Sequence, residues 1–423
     1  MKLRGPARPL HGSTELCGDK SISHRALLHA ALSPDESRIQ NVLRAGVTTA
    51  MIDCLQKLGV SITGDGNNLI MRGGVWRQPN GPLDCGNSGT TMRLLLGALA
   101  GMPIQVDLTG TPALECRPMG RIARPLRDMG ASISADRAPL SIKGGRLRGC
   151  EHHLKIASAQ VKASLLLAAL QADGPTTIYQ PGQSRDHSER MLRNLGINVH
   201  STASAVRLHP NGRPLPPTHL TVPGDFSSAA FLIAAAVLVP GSKVHIHGVG
   251  VNSTRTGFLD TLRAMGADIS IKNCRERGGE PVADITARHS KLRAVEVRGE
   301  LVVRMIDEFP IFAIMATQAA GPTTVLDASE LRVKESDRIA TLAGELRHMG
   351  VSITERPDGF VITGPQQLSA AMVDSQSDHR LAMSLAIGAM LADGKSRIQH
   401  SEAIRESFPG FADVLRLLGA EIY

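Results

Sequence analysis

The segment Leu126-Arg-Asp-Met-Gly130-Ala-Ser-Ile133 joins two periodicities. Leu126 and Met129 form the last apolar pair of a helix, Arg127 places a cation in its final turn, and Gly130 supplies the left-handed residue that ends it. An alternating strand follows. The phrase returns as Leu55-Gln-Lys-Leu-Gly59-Val-Ser-Ile, Leu192-Arg-Asn-Leu-Gly196-Ile-Asn-Val, Leu262-Arg-Ala-Met-Gly266-Ala-Asp-Ile, Leu346-Arg-His-Met-Gly350-Val-Ser-Ile and Leu415-Arg-Leu-Leu-Gly419-Ala-Glu-Ile. Its glycines are 71, 66, 70, 84 and 69 residues apart, so the chain reads as six copies of one α/β unit.

Upstream of each phrase the sequence predicts a second helix, apolar on nearly every face and therefore buried: 23–32, 90–100, 161–172, 227–239, 311–320 and 380–392. Polar residues crowd where these helices begin, as in Asp19-Lys-Ser21, Asn87-Ser-Gly-Thr90, Ser158-Ala-Gln160, Asp225-Phe-Ser-Ser228, Asp307-Glu308 and Asp378-His-Arg380. Capping of orphan backbone donors explains Ser, Asp, Asn and Thr. It does not explain Lys20, Arg25, Arg93 or Arg380, because a cation there opposes the helix dipole. An anion bound among the helix starts reconciles both facts. Prolines crowd 209–223 and read as a linker with three units on either side, which predicts two lobes and a ligand cleft between them.

Composition narrows the ligand. With 42% hydrophobic and 20% charged residues the chain reads as globular, and at 423 residues it is long enough for several domains. No apolar run approaches the roughly 20 residues of a membrane span, and the first residues hold no apolar signal core. A soluble, cytoplasmic protein is expected. Lys plus Arg exceed Asp plus Glu by 47 to 39, which suits anionic partners. Eight Phe, two Tyr and one Trp are too few for stacking bases, and no long basic run is present, so phosphorylated small molecules are favoured over nucleic acid. The six cysteines contain no C-x-x-C pair, and His245 with His247 on a strand at 243–248 has no third ligand nearby, so no metal is expected.

Two familiar loops do not hold up. Gly12 and Gly18 are one residue too far apart for a P-loop, and Asp19 intervenes before Lys20. Gly248-Val-Gly250 alone is weak evidence for a dinucleotide site. The densest charge cluster, Glu330-Leu-Arg-Val-Lys-Glu-Ser-Asp-Arg338, reads in isolation as a solvated helix start with local ion pairs.

In context the chain resembles the 5-enolpyruvylshikimate-3-phosphate synthase family. The resemblance rests on Gly18-Asp-Lys-Ser-Ile-Ser-His-Arg25, Asn87-Ser-Gly-Thr-Thr-Met-Arg93, Arg117-Pro-Met119, Ser158-Ala-Gln-Val-Lys162, Ser184-Arg-Asp-His187, Gly224-Asp-Phe-Ser-Ser-Ala229, Ile306-Asp-Glu308, Arg332-Val-Lys-Glu-Ser-Asp-Arg338, Asp378-His-Arg380 and Ser407-Phe-Pro409. These run in the family's order over almost the whole chain. The resemblance implies an α/β enolpyruvyl transferase fold of six βαβαββ-type repeats, three per lobe, with the active site in the interlobe cleft. One lobe is expected at 17–222, on the shikimate 3-phosphate side, and the other from 1–16 with 223–423.

The resemblance implies transfer of the enolpyruvyl group of phosphoenolpyruvate to the 5-hydroxyl of shikimate 3-phosphate, releasing phosphate by addition and elimination. It also implies a monomer that needs no cofactor and is a target of glyphosate. By matching position, Lys20, Ser21, Arg25, Ser158, Gln160, Ser184, Arg185, Asp307 and Lys334 hold shikimate 3-phosphate. Lys20, Gly89, Arg117, Gln160, Arg338 and Arg380 contact phosphoenolpyruvate. Lys20, Asp307 and Glu335 are the catalytic candidates, Asp307 as base for the hydroxyl and Glu335 as proton donor to C3, a role that needs a raised pKa.

Departures from the family pattern are Cys17 before Gly18, Thr111, Cys116, and Glu406 where many members carry a lysine; Arg405 is the candidate substitute. UDP-N-acetylglucosamine enolpyruvyl transferase shares the repeat architecture, but its loop cysteine lies five residues before the matching Arg, where this chain has Pro112. Its opening motif is Lys-Asn rather than Lys20-Ser21. A non-catalytic anion-binding scaffold is the remaining alternative.

Overall fold

All six glycines of the repeated phrase have positive φ, between 76° and 119°, in the computed structural model, which describes residues 1–423. In each copy the glycine N–H bonds the carbonyl three residues back, and the next N–H reaches the carbonyl of the leucine that opens the phrase. Gly130 to Arg127 and Ala131 to Leu126, both at 3.0 Å, show the pattern. This double closure satisfies the last orphan carbonyls of the helix. The basic residue does more than complement the dipole. Arg127, Arg193 and Arg416 donate from Nε to the carbonyls of Ile133, Val199 and Ile422 at 2.9, 3.0 and 3.1 Å. Arg347 reaches Ile353 in the same way at 3.1 Å. One side chain therefore ties the helix end to the strand that follows.

The chain divides into two compact units, one of Cys17–Pro223 with Glu276–Glu280, the other of Met1–Leu16, Gly224–Arg275 and Pro281–Tyr423. In the first unit three four-stranded sheets share one order. Leu83–Asp84 pairs in parallel with Gln105–Thr109, which pairs antiparallel with Leu140–Lys143, followed by Ser132–Ile133. Glu151–His153, Thr176–Tyr179, Ala205–His209 and Asn198–Ser201 repeat it, as do His219–Thr221, Ser37–Gln40, Asn68–Arg72 and Ser61–Asp65. In the first two of these sheets a helix follows each of the first two strands, which makes a βαβαββ repeat; in the third the first strand, His219–Thr221, comes from the far end of the unit. The proline-dense stretch read as a linker thus ends in structure. Between Pro217 and Pro223 the run Thr218-His-Leu-Thr-Val222 supplies the first strand of the first repeat.

In the second unit His11–Glu15 heads the sheet of Lys243–Gly250, Leu292–Arg293 and Glu296–Val297 head that of Ala319–Val325, and Met372–Asp374 heads that of Gly394–Gln399. The last sheet takes Lys2–Gly5 antiparallel to Gly394–Gln399, and Leu3 bridges Ile422, so both chain ends complete one repeat.

The buried helices form the centre of each unit: Lys20–Leu32, Gly89–Leu99 and Ala159–Ala169 in one, Phe226–Leu238, Phe309–Thr317 and His379–Ala389 in the other. The expected ranges differ by a few residues at the ends. The third stops at Ala169 rather than 172 because Ala172–Asp173 pairs with Leu147–Arg148. Helix contact is close at Gly97, where a Cβ would lie 2.1 Å from the Ser164 carbonyl oxygen. A glycine that weakens an isolated helix here lets two helices touch.

Candidate active site

In the Cys17–Pro223 unit the first turns of the three central helices are tied together by side chains. Asp19 caps Lys20–Leu32 by accepting from Ile22 N at 2.9 Å, Ser88 caps Gly89–Leu99 by accepting from Thr91 N at 3.1 Å, and Ser158 caps Ala159–Ala169. Gln160 donates to Thr90 Oγ1 at 2.9 Å and accepts from Arg93 Nη1. Arg25 is buried, with Nε on Ser188 Oγ at 2.7 Å, Nη1 on the Ser21 carbonyl at 2.9 Å and Nη2 on the Ala159 carbonyl at 3.4 Å. Burial lowers its pKa to about 10, which still leaves it cationic at neutral pH.

Gly89 separates two further cations. It opens its helix with φ outside the left-handed region, and a Cβ on it would stand 3.3 Å from Arg117 Nη1 and 3.4 Å from Arg93 Nη1. Lys20, Ser21, Arg117, Ser158, Gln160 and Arg185 are partly exposed, whereas Ser184 is buried and donates to Gln180 Oε1 at 2.8 Å. These residues are rich in cations and backbone N–H groups, the chemistry that receives phosphate and carboxylate.

The other unit mixes carboxylates with its cations. Arg338 is buried, donates from Nε to Asp378 Oδ2 at 2.8 Å, and from Nη2 to Asp378 Oδ1 at 3.3 Å and Glu335 Oε2 at 2.7 Å. Its Nη1 lies 3.7 Å from Asp307 Oδ1. Burial acts to lower the pKa of Arg338, but Asp378 and Glu335 outweigh it and hold the guanidinium firmly charged. Arg380 donates to the Asp307 carbonyl at 3.2 Å and lies 3.7 Å from Asp307 Oδ2. Asp307 thus has an arginine beside each carboxylate oxygen while remaining 19% exposed. Lys334 is only partly buried, yet desolvation lowers its ammonium pKa against the opposing pull of Asp307.

The charged cluster at 330–338 therefore splits into two jobs. Arg332 pairs with Asp337 at 2.8 Å and Glu355 at 3.0 Å, and Asp337 caps Arg338–His348, so these residues hold the turn. Glu335 and Arg338 pair with one another beside Asp307. Ser407-Phe-Pro409 is likewise a packing motif, with Phe408 edge-on to Phe411, which is edge-on to Phe231. Arg405 is exposed on the short 3-10 helix Ser401–Glu406 just before it.

Residues 5–415 match the family model for EPSP synthase, 3-phosphoshikimate 1-carboxyvinyltransferase. The chain is 47% identical to the 3-phosphoshikimate 1-carboxyvinyltransferase of Geobacillus kaustophilus over 99% of its own length and 100% of that protein, and 46% identical to that of Syntrophomonas wolfei over 99% of each. This chain belongs to the EPSP synthase family. An EPSP synthase structure from Acinetobacter baumannii superposes with a TM-score of 0.88 at 38% identity, covering 99% of this chain and 97% of that one. The enolpyruvyl transferase NikO of Streptomyces tendae shares the fold, with a TM-score of 0.80 at 19% identity over 100% of this chain and 98% of its own. The chain is thus a transferase of the 3-phosphoshikimate 1-carboxyvinyltransferase class, which sets aside the UDP-N-acetylglucosamine reading and the inert scaffold.

For an EPSP synthase the sequence left several buried groups unread. Arg255 donates to Asp225 Oδ1 at 3.0 Å and Ser227 Oγ at 2.9 Å. Lys162 and Glu189 form a fully buried pair at 2.7 Å, and His187 Nδ1 meets Glu280 Oε1 at 2.8 Å. Glu308, named in a helix start and in the Ile306-Asp-Glu308 motif but given no role, is buried and accepts from Ser227 Oγ.

Proposed function

We propose that the chain joins phosphoenolpyruvate to the 5-hydroxyl of shikimate 3-phosphate, with Asp307 and Glu335 as the two proton-transfer groups. The observation that carries this reading is the placement of both carboxylates on one buried guanidinium, Arg338. Asp307 takes the hydroxyl proton as the oxygen attacks C2, and Glu335 protonates C3, leaving a tetrahedral adduct that still carries phosphate. Elimination reverses the C3 protonation and breaks the C2–O bond to phosphate. Arginines at Asp307 favour its ionised form, as a base requires, whereas the 2.7 Å bond from Arg338 favours the carboxylate of Glu335 too, against the raised pKa expected of an acid. Arg117, Arg338, Arg380 and Lys20 hold the carboxylate and phosphate of phosphoenolpyruvate, with Gly89 and Gln160 at the same ligand.

Shikimate 3-phosphate is held by Lys20, Ser21, Arg25, Ser158, Gln160, Ser184 and Arg185 from the segment 17–222, and by Asp307 and Lys334 from the segment 223–423. Arg25, which donates to Ser188 Oγ and to the Ser21 and Ala159 carbonyls, acts chiefly by its charge. The enzyme works as a cytoplasmic monomer, and no helix is long and apolar enough to cross a membrane. A phosphate-release assay tests the reading. Release is expected only with both substrates present; release without shikimate 3-phosphate, or none with both, overturns it.

A further inference from the structure

We infer that Glu308 is a positioning residue for Arg380, an inference that rests on the proposed role of Arg380 at phosphoenolpyruvate. Glu308 precedes the helix Phe309–Thr317 but makes no side-chain cap to it. Its carboxylate turns sideways instead, to the first turns of the two neighbouring helices. Oε1 accepts a hydrogen bond from Ser227 Oγ in Phe226–Leu238 and lies 3.8 Å from Arg380 Nη1 in His379–Ala389. All three side chains are buried, Glu308 to 1% exposure.

The direction of the Ser227 bond is set by a fourth residue. Arg255 Nη2 donates to Ser227 Oγ at 2.9 Å and so occupies the hydroxyl as acceptor, leaving its proton for Glu308. Arg255 is itself fixed by Asp225, the cap of the Phe226–Leu238 helix. A continuous path of charged hydrogen bonds and ion pairs thus runs from Asp225 through Arg255, Ser227 and Glu308 to Arg380, which then touches Asp307. Glu308 is the junction through which the first helix fixes the guanidinium on the third.

A buried carboxylate beside an arginine that receives an anion has two opposite consequences. Its charge repels phosphoenolpyruvate, whereas its hold on Arg380 lowers the cost of orienting the fork. Positioning outweighs repulsion because a guanidinium shifted by even about 1 Å loses the alignment on which a two-point contact depends.

Steady-state kinetics of Glu308→Gln, Glu308→Ala and Ser227→Ala separate the two. If Glu308 positions Arg380, the KM for phosphoenolpyruvate rises by about tenfold in Glu308→Ala and by less in Glu308→Gln, which keeps an acceptor for Ser227, while the KM for shikimate 3-phosphate stays within about twofold. Ser227→Ala moves the same parameter in the same direction. An unchanged or lowered KM for phosphoenolpyruvate in the Gln variant overturns the inference, because loss of repulsion alone lowers it. Equal rises in both KM values, or a fall in thermal midpoint with no change in either, show a structural role and also overturn it. Should Glu308→Ala fail to fold, the Gln and Ser227 variants carry the test alone. A wild type inactive with both substrates refutes the parent reading; an active wild type with unaffected variants refutes only this one.

Discussion

Arg338 and Asp378 form a two-point contact in which both side chains are sealed from solvent, Nε to Oδ2 at 2.8 Å and Nη2 to Oδ1 at 3.3 Å. Asp378 also caps its helix by accepting from Arg380 N at 2.9 Å, and accepts from Ser336 Oγ at 3.2 Å. Burial alone raises the pKa of Asp378, but Arg338 more than offsets this and holds it low. Asp378→Ala leaves a buried cation with one full partner fewer, a change that typically costs about 3 to 5 kcal/mol. We expect a fall in unfolding free energy of that order and loss of phosphoenolpyruvate binding, measured by urea denaturation and titration. A variant that keeps wild-type stability would mean that Glu335 and Asp307 suffice to neutralise Arg338.

Asp307 and Glu335 differ in what their removal disturbs. Asp307 lies 3.7 Å from each of two buried arginines without the two-point contact that Asp378 makes, so Asp307→Ala should nearly abolish turnover while lowering stability by less than Asp378→Ala. Glu335→Gln keeps an oxygen for the Arg338 bond, now 2.7 Å, and removes the acid; kcat should fall far more than substrate affinity. Near-wild-type kcat in either variant rejects that residue's assigned proton transfer.

What could be read ahead of the structure follows the distance over which each signal acts. The helix ends were readable because Gly130 and its five counterparts, with a leucine and a basic residue at fixed offsets, solve a problem confined to one turn. Helix starts were readable for the same reason, since caps such as Asp19 and Ser88 lie three residues from the N–H groups they accept. The partners of Arg255, Lys162 and His187 were not, because Asp225, Glu189 and Glu280 lie 30, 27 and 93 residues away. No local pattern records such a pairing. Arg332 and Arg338 show the middle case: six residues apart in one charged run, one braces the turn and the other faces Asp307.

Two histidines buried on the Lys20–Leu32 helix make stability depend on acid. Desolvation lowers the pKa of His24 to about 4 and that of His29 to about 3. The unfolded chain binds these protons at the ordinary value of 6.5, so stability is complete above that pH and is lost as pH falls toward the folded-state values. At pH 5 each histidine should cost about 2 kcal/mol relative to pH 7.5. His29, whose Nδ1 has no hydrogen-bond partner, can be replaced by Leu to isolate its share. His29→Leu should flatten the urea midpoint between pH 7 and 5; an unaltered slope would show that His29 does not titrate on unfolding in this range.

Gly89 decides how the candidate phosphoenolpyruvate pocket tolerates a larger ligand. Two explanations of a glycine at a helix start compete, a need for positive φ and a need for space. The first does not apply, since Gly89 lies outside the left-handed region, and an alanine there incurs no backbone strain. The second does, because the added methyl would stand 3.3 Å from Arg117 Nη1 and 3.4 Å from Arg93 Nη1, so the guanidinium groups must give by a few tenths of an ångström. Gly89→Ala should therefore fold with an unchanged thermal midpoint. Glyphosate is expected to compete with phosphoenolpyruvate in the wild type, and the displaced arginines should weaken the longer inhibitor more than the compact substrate, by about 1 to 3 kcal/mol where overpacking is relieved least. Inhibition constants and the KM for phosphoenolpyruvate, measured on both proteins, check this. A variant that loses stability along with activity would place the cost in the helix start, and equal losses for inhibitor and substrate would show that the methyl only displaces a shared arginine.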